Sequence, residues 1–139
     1  MTRFDDWYPR LVAYVSRVRS LPFEYGRHDC ALFAAGAVEA MTGTDPAAKL
    51  RGKYSTLAGG LKKLRRLGFD NHAQFAASIL PEVIEGPAFG QIGDIAALDL
   101  GGGAWSLGLV QGSRIFVTQP DSAGLGTVDL LTASRLFRV

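Results

Sequence analysis

Tyr25-Gly26-Arg27-His28-Asp29-Cys30-Ala31-Leu32-Phe33 puts the chain's only cysteine behind a glycine-containing turn and at the opening of an apolar helix. A thiol at a helix start faces unpaired backbone N–H groups and the positive end of the helix dipole. Both favour the thiolate, which is the nucleophilic form. Asp29 is a natural N-cap, because its carboxylate accepts from backbone donors of the first turn. His28, one of two histidines, stands two residues before the thiol. Cys30 is therefore a candidate nucleophile, and it also fits the commoner role of a free cysteine as a small buried side chain.

Outward from this stretch, the N-terminal half reads as helices. Phe4, Trp7, Tyr8, Leu11, Val15 and Val18 recur at helical spacing and predict an amphipathic helix over about residues 4–19. Pro22 and Gly26 break it. The second helix runs from about Asp29 to Met41, rich in alanine, with Gly43 as its C-terminal stop. Leu57, Leu61, Leu64 and Leu67 predict a third helix, capped by Ser55 and stopped by Gly68. A short fourth spans about residues 71–80, halted by Pro81.

From Ile92 the pattern changes to strands. Gly93-Asp94 introduces Ile95-Ala96-Ala97-Leu98, and Gly101-Gly102-Gly103 turns the chain as a hairpin tip. Residues 105–111 and 114–119 are joined through Gly112-Ser113, a tight hairpin signal. Weaker strands fall near residues 126–129 and 136–139. The order predicts an α+β fold, with N-terminal helices packed on a small antiparallel sheet, in a single domain over residues 1–139.

Composition narrows the class. Apolar residues make up 47% and charged residues 20% of 139, an ordinary globular balance. One cysteine excludes an internal disulfide, and two histidines beside it make a zinc site improbable, so neither metal nor cofactor is expected. The start of the chain carries no basic segment followed by an apolar run, and no stretch is long enough to span a membrane. Synthesis in the cytoplasm follows as the expectation. Between Pro46 and Phe69 there is no acid, yet Lys49, Arg51, Lys53, Lys62, Lys63, Arg65 and Arg66 lie there. This is a solvated helix face or a contact for an acidic partner. Nucleic-acid recognition is not expected, since Tyr54 is the only aromatic neighbour and no recognition motif is present.

Three short motifs in order carry a resemblance. His28-Asp29-Cys30, Gly93-Asp94-Ile95 and Leu107-Gly108-Leu109-Val110-Gln111-Gly112 resemble the layout of the NlpC-type cell-wall cysteine peptidases, circularly arranged relatives of papain. The match extends, with Gly52-Lys53-Tyr54 and an Arg-containing terminal strand, to a small phage-encoded branch found among tail genes of long-tailed phages and gene transfer agents. The resemblance implies a papain-like fold and Cys30 as nucleophile. It also implies a place in the phage tail, with tail hub or tail-tip proteins as partners and peptidoglycan as a further one.

The chain departs from that pattern at one position. The family's general base is the histidine before the Val-Gly-Ile run, and here that position is Ser106. A hydroxyl does not replace an imidazole as proton acceptor near neutral pH. His28, by a sharp turn before the helix, or His72, from the loop before the short fourth helix, is then the remaining source of a base. His28 otherwise donates to a turn carbonyl. Gln119 lies near the place of the family's third polar group, and otherwise makes strand-end hydrogen bonds. Asp94 reads as a turn residue, and Trp105 as groove lining or sheet packing. Two functions follow: a tail-associated cysteine peptidase or amidase cutting peptidoglycan, or an inactive structural descendant serving as tail plug or docking protein. Acyl transfer on lipid has no membrane-binding feature behind it.

Overall fold

A computed structural model describes residues 1–139. Four helices precede five strands: α1 (Trp7–Val18), α2 (Cys30–Thr42), α3 (Leu57–Arg66), α4 (His72–Ile79), then β1 (Ile95–Gly101), β2 (Ala104–Val110), β3 (Arg114–Val117), β4 (Gly126–Asp129) and β5 (Arg135–Phe137). The strands form one antiparallel sheet in the order β4-β3-β2-β1-β5. The predicted α+β class and its N-to-C division are both present.

The sheet is buried on two faces, and the period-2 pattern of β1 shows how. Ile95 and Ala97 join Leu107, Leu109 and Phe137 against Phe33, Val38 and Met41 of α2. Ala96 and Leu98 point the other way, into a second core with Val83, Val110, Ile115 and Leu136. Eight of the 13 residues of α2 are buried, because the small side chains let α1 and β2 approach it together. Tyr14 of α1 ties that packing by donating its hydroxyl to the Phe33 carbonyl at 2.8 Å. A third cluster, with Leu32, Ala47, Leu50, Leu64 and Phe75, holds α3 and α4 beside α2.

Several boundaries differ from the sequence reading for identifiable reasons. α1 starts at Trp7, since the Phe4 N–H is used on the Met41 carbonyl at 2.8 Å. The cap of α3 is Thr56 rather than Ser55, its hydroxyl accepting from the Gly59 N–H. Only Leu64 of the α3 leucines is buried, and Leu57 and Leu67 are exposed. β5 is no open apolar edge: Leu136 and Phe137 are 1% and 0% exposed. Its outer side is bonded by the segment before β1, Val83 N–H to Leu136 O at 2.8 Å and Arg138 N–H to Pro81 O at 2.9 Å. Asp94 turns the chain as expected, accepting from the Gln91 N–H, and in addition receives Arg138 at 2.9 and 3.0 Å from the far end of the chain.

Candidate functional site

Asp29 organises the site from one carboxylate. Its Oδ1 accepts from the Leu32 N–H at 3.0 Å, which caps α2. Its Oδ2 accepts from the Gly26 N–H at 2.9 Å and from the Tyr54 hydroxyl. Gly26 has φ +84°, and a Cβ there would overlap the Tyr54 carbonyl, so the turn and the tyrosine loop require glycine at their crossing. Burial, and then the hydrogen bond to Asp29, push the Tyr54 hydroxyl far above its ordinary range, so it stays a donor. Tyr54 had no chemical role in the sequence reading; the signal was its place in Gly52-Lys53-Tyr54, a loop that crosses the Asp29 turn.

With the cap fixed, Cys30 becomes the first residue of α2 and stands half-buried in the floor of a cavity of about 390 Å³. The walls are mainly apolar. Leu57, Leu61 and Leu64 of α3 face Leu98, Leu100 and Trp105 of the β1–β2 hairpin across it. Trp105 thus lines the groove and also packs on the main core.

Desolvation pushes the Cys30 thiol up, and the Asp29 charge acts in the same direction. The Leu107 N–H, the Ser106 hydroxyl and the Ala31 N–H face the sulfur and pull the other way without overcoming burial. Desolvation and the neighbouring carboxylate therefore outweigh the helix start, which by itself favours the thiolate of an accessible cysteine. Ser106 does stand at the thiol, in the position where the resemblance puts a histidine.

The two histidines separate. His28 is buried with its ring edge-on to Phe33 at 6.0 Å, and it lines a different cavity, with Tyr14, Glu39 and Arg51. Burial lowers its pKa. His72, the first residue of α4 behind the Asn71 cap, lines the Cys30 cavity with the Trp105 carbonyl beside its ring. Its pKa is lowered by burial, with Asp29 and the Trp105 carbonyl opposing. Gln119 is turned away, its amide donating to Gly124 O at 3.2 Å. Cys30, Asp29, Tyr54, His72 and Ser106 form the polar floor of an apolar cleft, an arrangement suited to attack on a carbonyl held between the walls.

No curated protein matches the chain. Among solved structures, it is similar to the crystal structure of the NlpC/p60 domain of the peptidoglycan hydrolase SagA. The TM-score is 0.61 at 14% identity, over 94% of this chain and 97% of that one. At this identity the likeness shows the fold, and the fold is the papain-like NlpC type that the motifs imply. Residues 2–139 match the model of a family described as Domain of unknown function (DUF6950), and the chain belongs to that family.

Proposed function

We propose that this is a tail-tip or baseplate component of a phage or phage-derived particle, made in the host cytoplasm and acting on peptidoglycan during genome entry as a cysteine peptidase. The carrying observation is Cys30 at the start of α2, half-open in the floor of a cleft with Ser106, Tyr54 and His72 around it. The fold it shares with an NlpC/p60 domain of a peptidoglycan hydrolase supports the substrate. The resemblance to phage tail proteins supports the location. In this reading Cys30 Sγ attacks a stem-peptide amide carbonyl and an acyl-enzyme forms. Backbone N–H groups beside the sulfur, of Ala31 and Leu107, stabilise the oxyanion.

One observation favours a second reading, an inactive descendant kept for docking or for plugging the tail. Ser106 replaces the expected imidazole, and burial holds the thiol protonated. The two readings part in one experiment. Purified protein and its Cys30→Ala variant are incubated with isolated peptidoglycan, and released fragments are followed by liquid chromatography and mass spectrometry. Purified particles are probed for the protein in parallel. Release by the wild type alone supports the peptidase. Presence in particles with no release supports the structural descendant, and absence from particles overturns the location.

A further inference from the structure

We propose that His72, supplied by helix α4, is the catalytic base for Cys30, replacing the imidazole that the strand position 106 no longer carries. The inference rests on the reading of Cys30 as a nucleophile, and adds which group moves its proton.

The argument begins with strand β2. Two helices, α2 and α4, pack on this strand, and each begins at the same cavity, one with Cys30 and the other with His72. Consecutive residues of β2 hold the two side chains. The Ser106 hydroxyl faces the Cys30 sulfur, and the Trp105 carbonyl lies beside the His72 ring. Neighbouring residues on a strand are separated by only about 3.3 Å along its axis. Thiol and imidazole therefore line one cavity beside the same short piece of backbone.

The Trp105 carbonyl beside the ring also favours one form of it. A carbonyl only accepts, so the nitrogen facing it carries the hydrogen, and in the neutral ring the other nitrogen carries the lone pair. Burial keeps the ring neutral and able to accept. The charged and titratable groups around it are Asp29 at the cap of α2, Tyr54 and Tyr25 from loops, Arg65 of α3 and Asp70 before α4. Asp29 is the one whose charge acts on both partners, raising the thiol and favouring the imidazolium that forms when the proton arrives. Tyr54 holds Asp29 in place through its own hydroxyl. His28 takes no part, since it lines another cavity.

The step balances as ordinary acyl transfer. The thiol proton passes to the free nitrogen of His72 while sulfur bonds to the carbonyl carbon. The imidazolium returns that proton to the leaving amine as the carbon–nitrogen bond breaks. Water, deprotonated by the same nitrogen, then releases the acyl group from sulfur.

The test uses the full chain and iodoacetamide, which reports on the thiol without needing the natural substrate. Alkylation rates at Cys30 are measured across pH for the wild type, His72→Gln and His28→Gln, with circular dichroism as a check on folding. His72→Gln is expected to slow alkylation about 10²-fold near neutral pH and to remove the inflection in the histidine range, leaving only thiol ionisation. Added imidazole restores part of the rate, and His28→Gln alkylates as the wild type does. A His72→Gln profile identical to wild type, or an equal loss in His28→Gln, overturns the proposal. If His72→Gln does not fold, NMR titration of the His72 ring decides. Its midpoint must move in Cys30→Ser, and an unmoved midpoint overturns the coupling. Failure of peptidoglycan cleavage sinks the proposed substrate and leaves this dyad standing, whereas an indifferent His72 sinks the dyad alone.

Discussion

Cys30 and Asp29 were readable because they are neighbours in the chain, and a cap followed by a thiol is a local pattern. Tyr54 was not, and His72 was only one of two histidines left as a base, because they reach the same cavity from a loop and a helix 25 and 42 residues away from Asp29 and Cys30 respectively. Nothing local in Asn71-His72-Ala73 announces that its ring will meet the Trp105 carbonyl. His28 shows the reverse error. It is two residues from the thiol and belongs to another cavity, since the turn before α2 sends it against Phe33. The Ser106 position gives a prediction at this scale. Because its hydroxyl already faces the sulfur, Ser106→His in the His72→Gln background should restore Cys30 alkylation near neutral pH by about tenfold or more. Rates with iodoacetamide, compared with the single variant, check it.

The strands were legible as elements for a different reason. Glycines mark their ends and alternation marks their faces, so β1 to β4 fall within a few residues of the expected spans. What alternation does not reveal is which end of a sheet is covered. β5 reads only as a weak strand near residues 136–139, yet the segment 81–83 bonds along it and Arg138 reaches Asp94, which is fully buried. Removing Arg138 leaves the buried Asp94 charge with only the Gln91 N–H and no cation bonded to it. Arg138→Leu should therefore destabilise the fold by about 3 kcal/mol, measured by urea unfolding. Asp94→Asn added to Arg138→Leu should recover part of that loss, since the uncompensated charge is then gone.

At the scale of the whole molecule, both histidines, one buried and one half-buried, act on stability through acid. Burial lowers their pKa values below the ordinary 6.5, so below that value the unfolded chain binds more protons than the native one. Their contribution is complete above about pH 6.5 and is lost as pH falls through the lowered native values. The melting temperature should drop between about pH 7 and pH 5, and His28→Gln with His72→Gln should flatten that slope. The paired carboxylates Asp6 and Glu82, held low by Arg10 and Arg135, act only further down in pH. The molecule's outer charge is separate from this. Lys62, Lys63, Arg65 and Arg66 take part in none of the five ion pairs and leave α3 free to face an acidic partner. Reversing all four should weaken co-purification with tail particles at low salt while leaving the fold intact, as exposed charges steer docking and are screened.

The burial of β5 also has a bearing on synthesis. Phe137 completes the core under the helices and Leu136 the core on the opposite face. A ribosome delivers these residues after everything they pack against. Until they emerge, the nascent chain has helices and four strands with both hydrophobic layers unfinished, so neither layer can close early. Folding is thereby held back until β5 has emerged, and a product terminated before it presents open apolar surface to chaperones and proteases instead of a stable, partly built cleft.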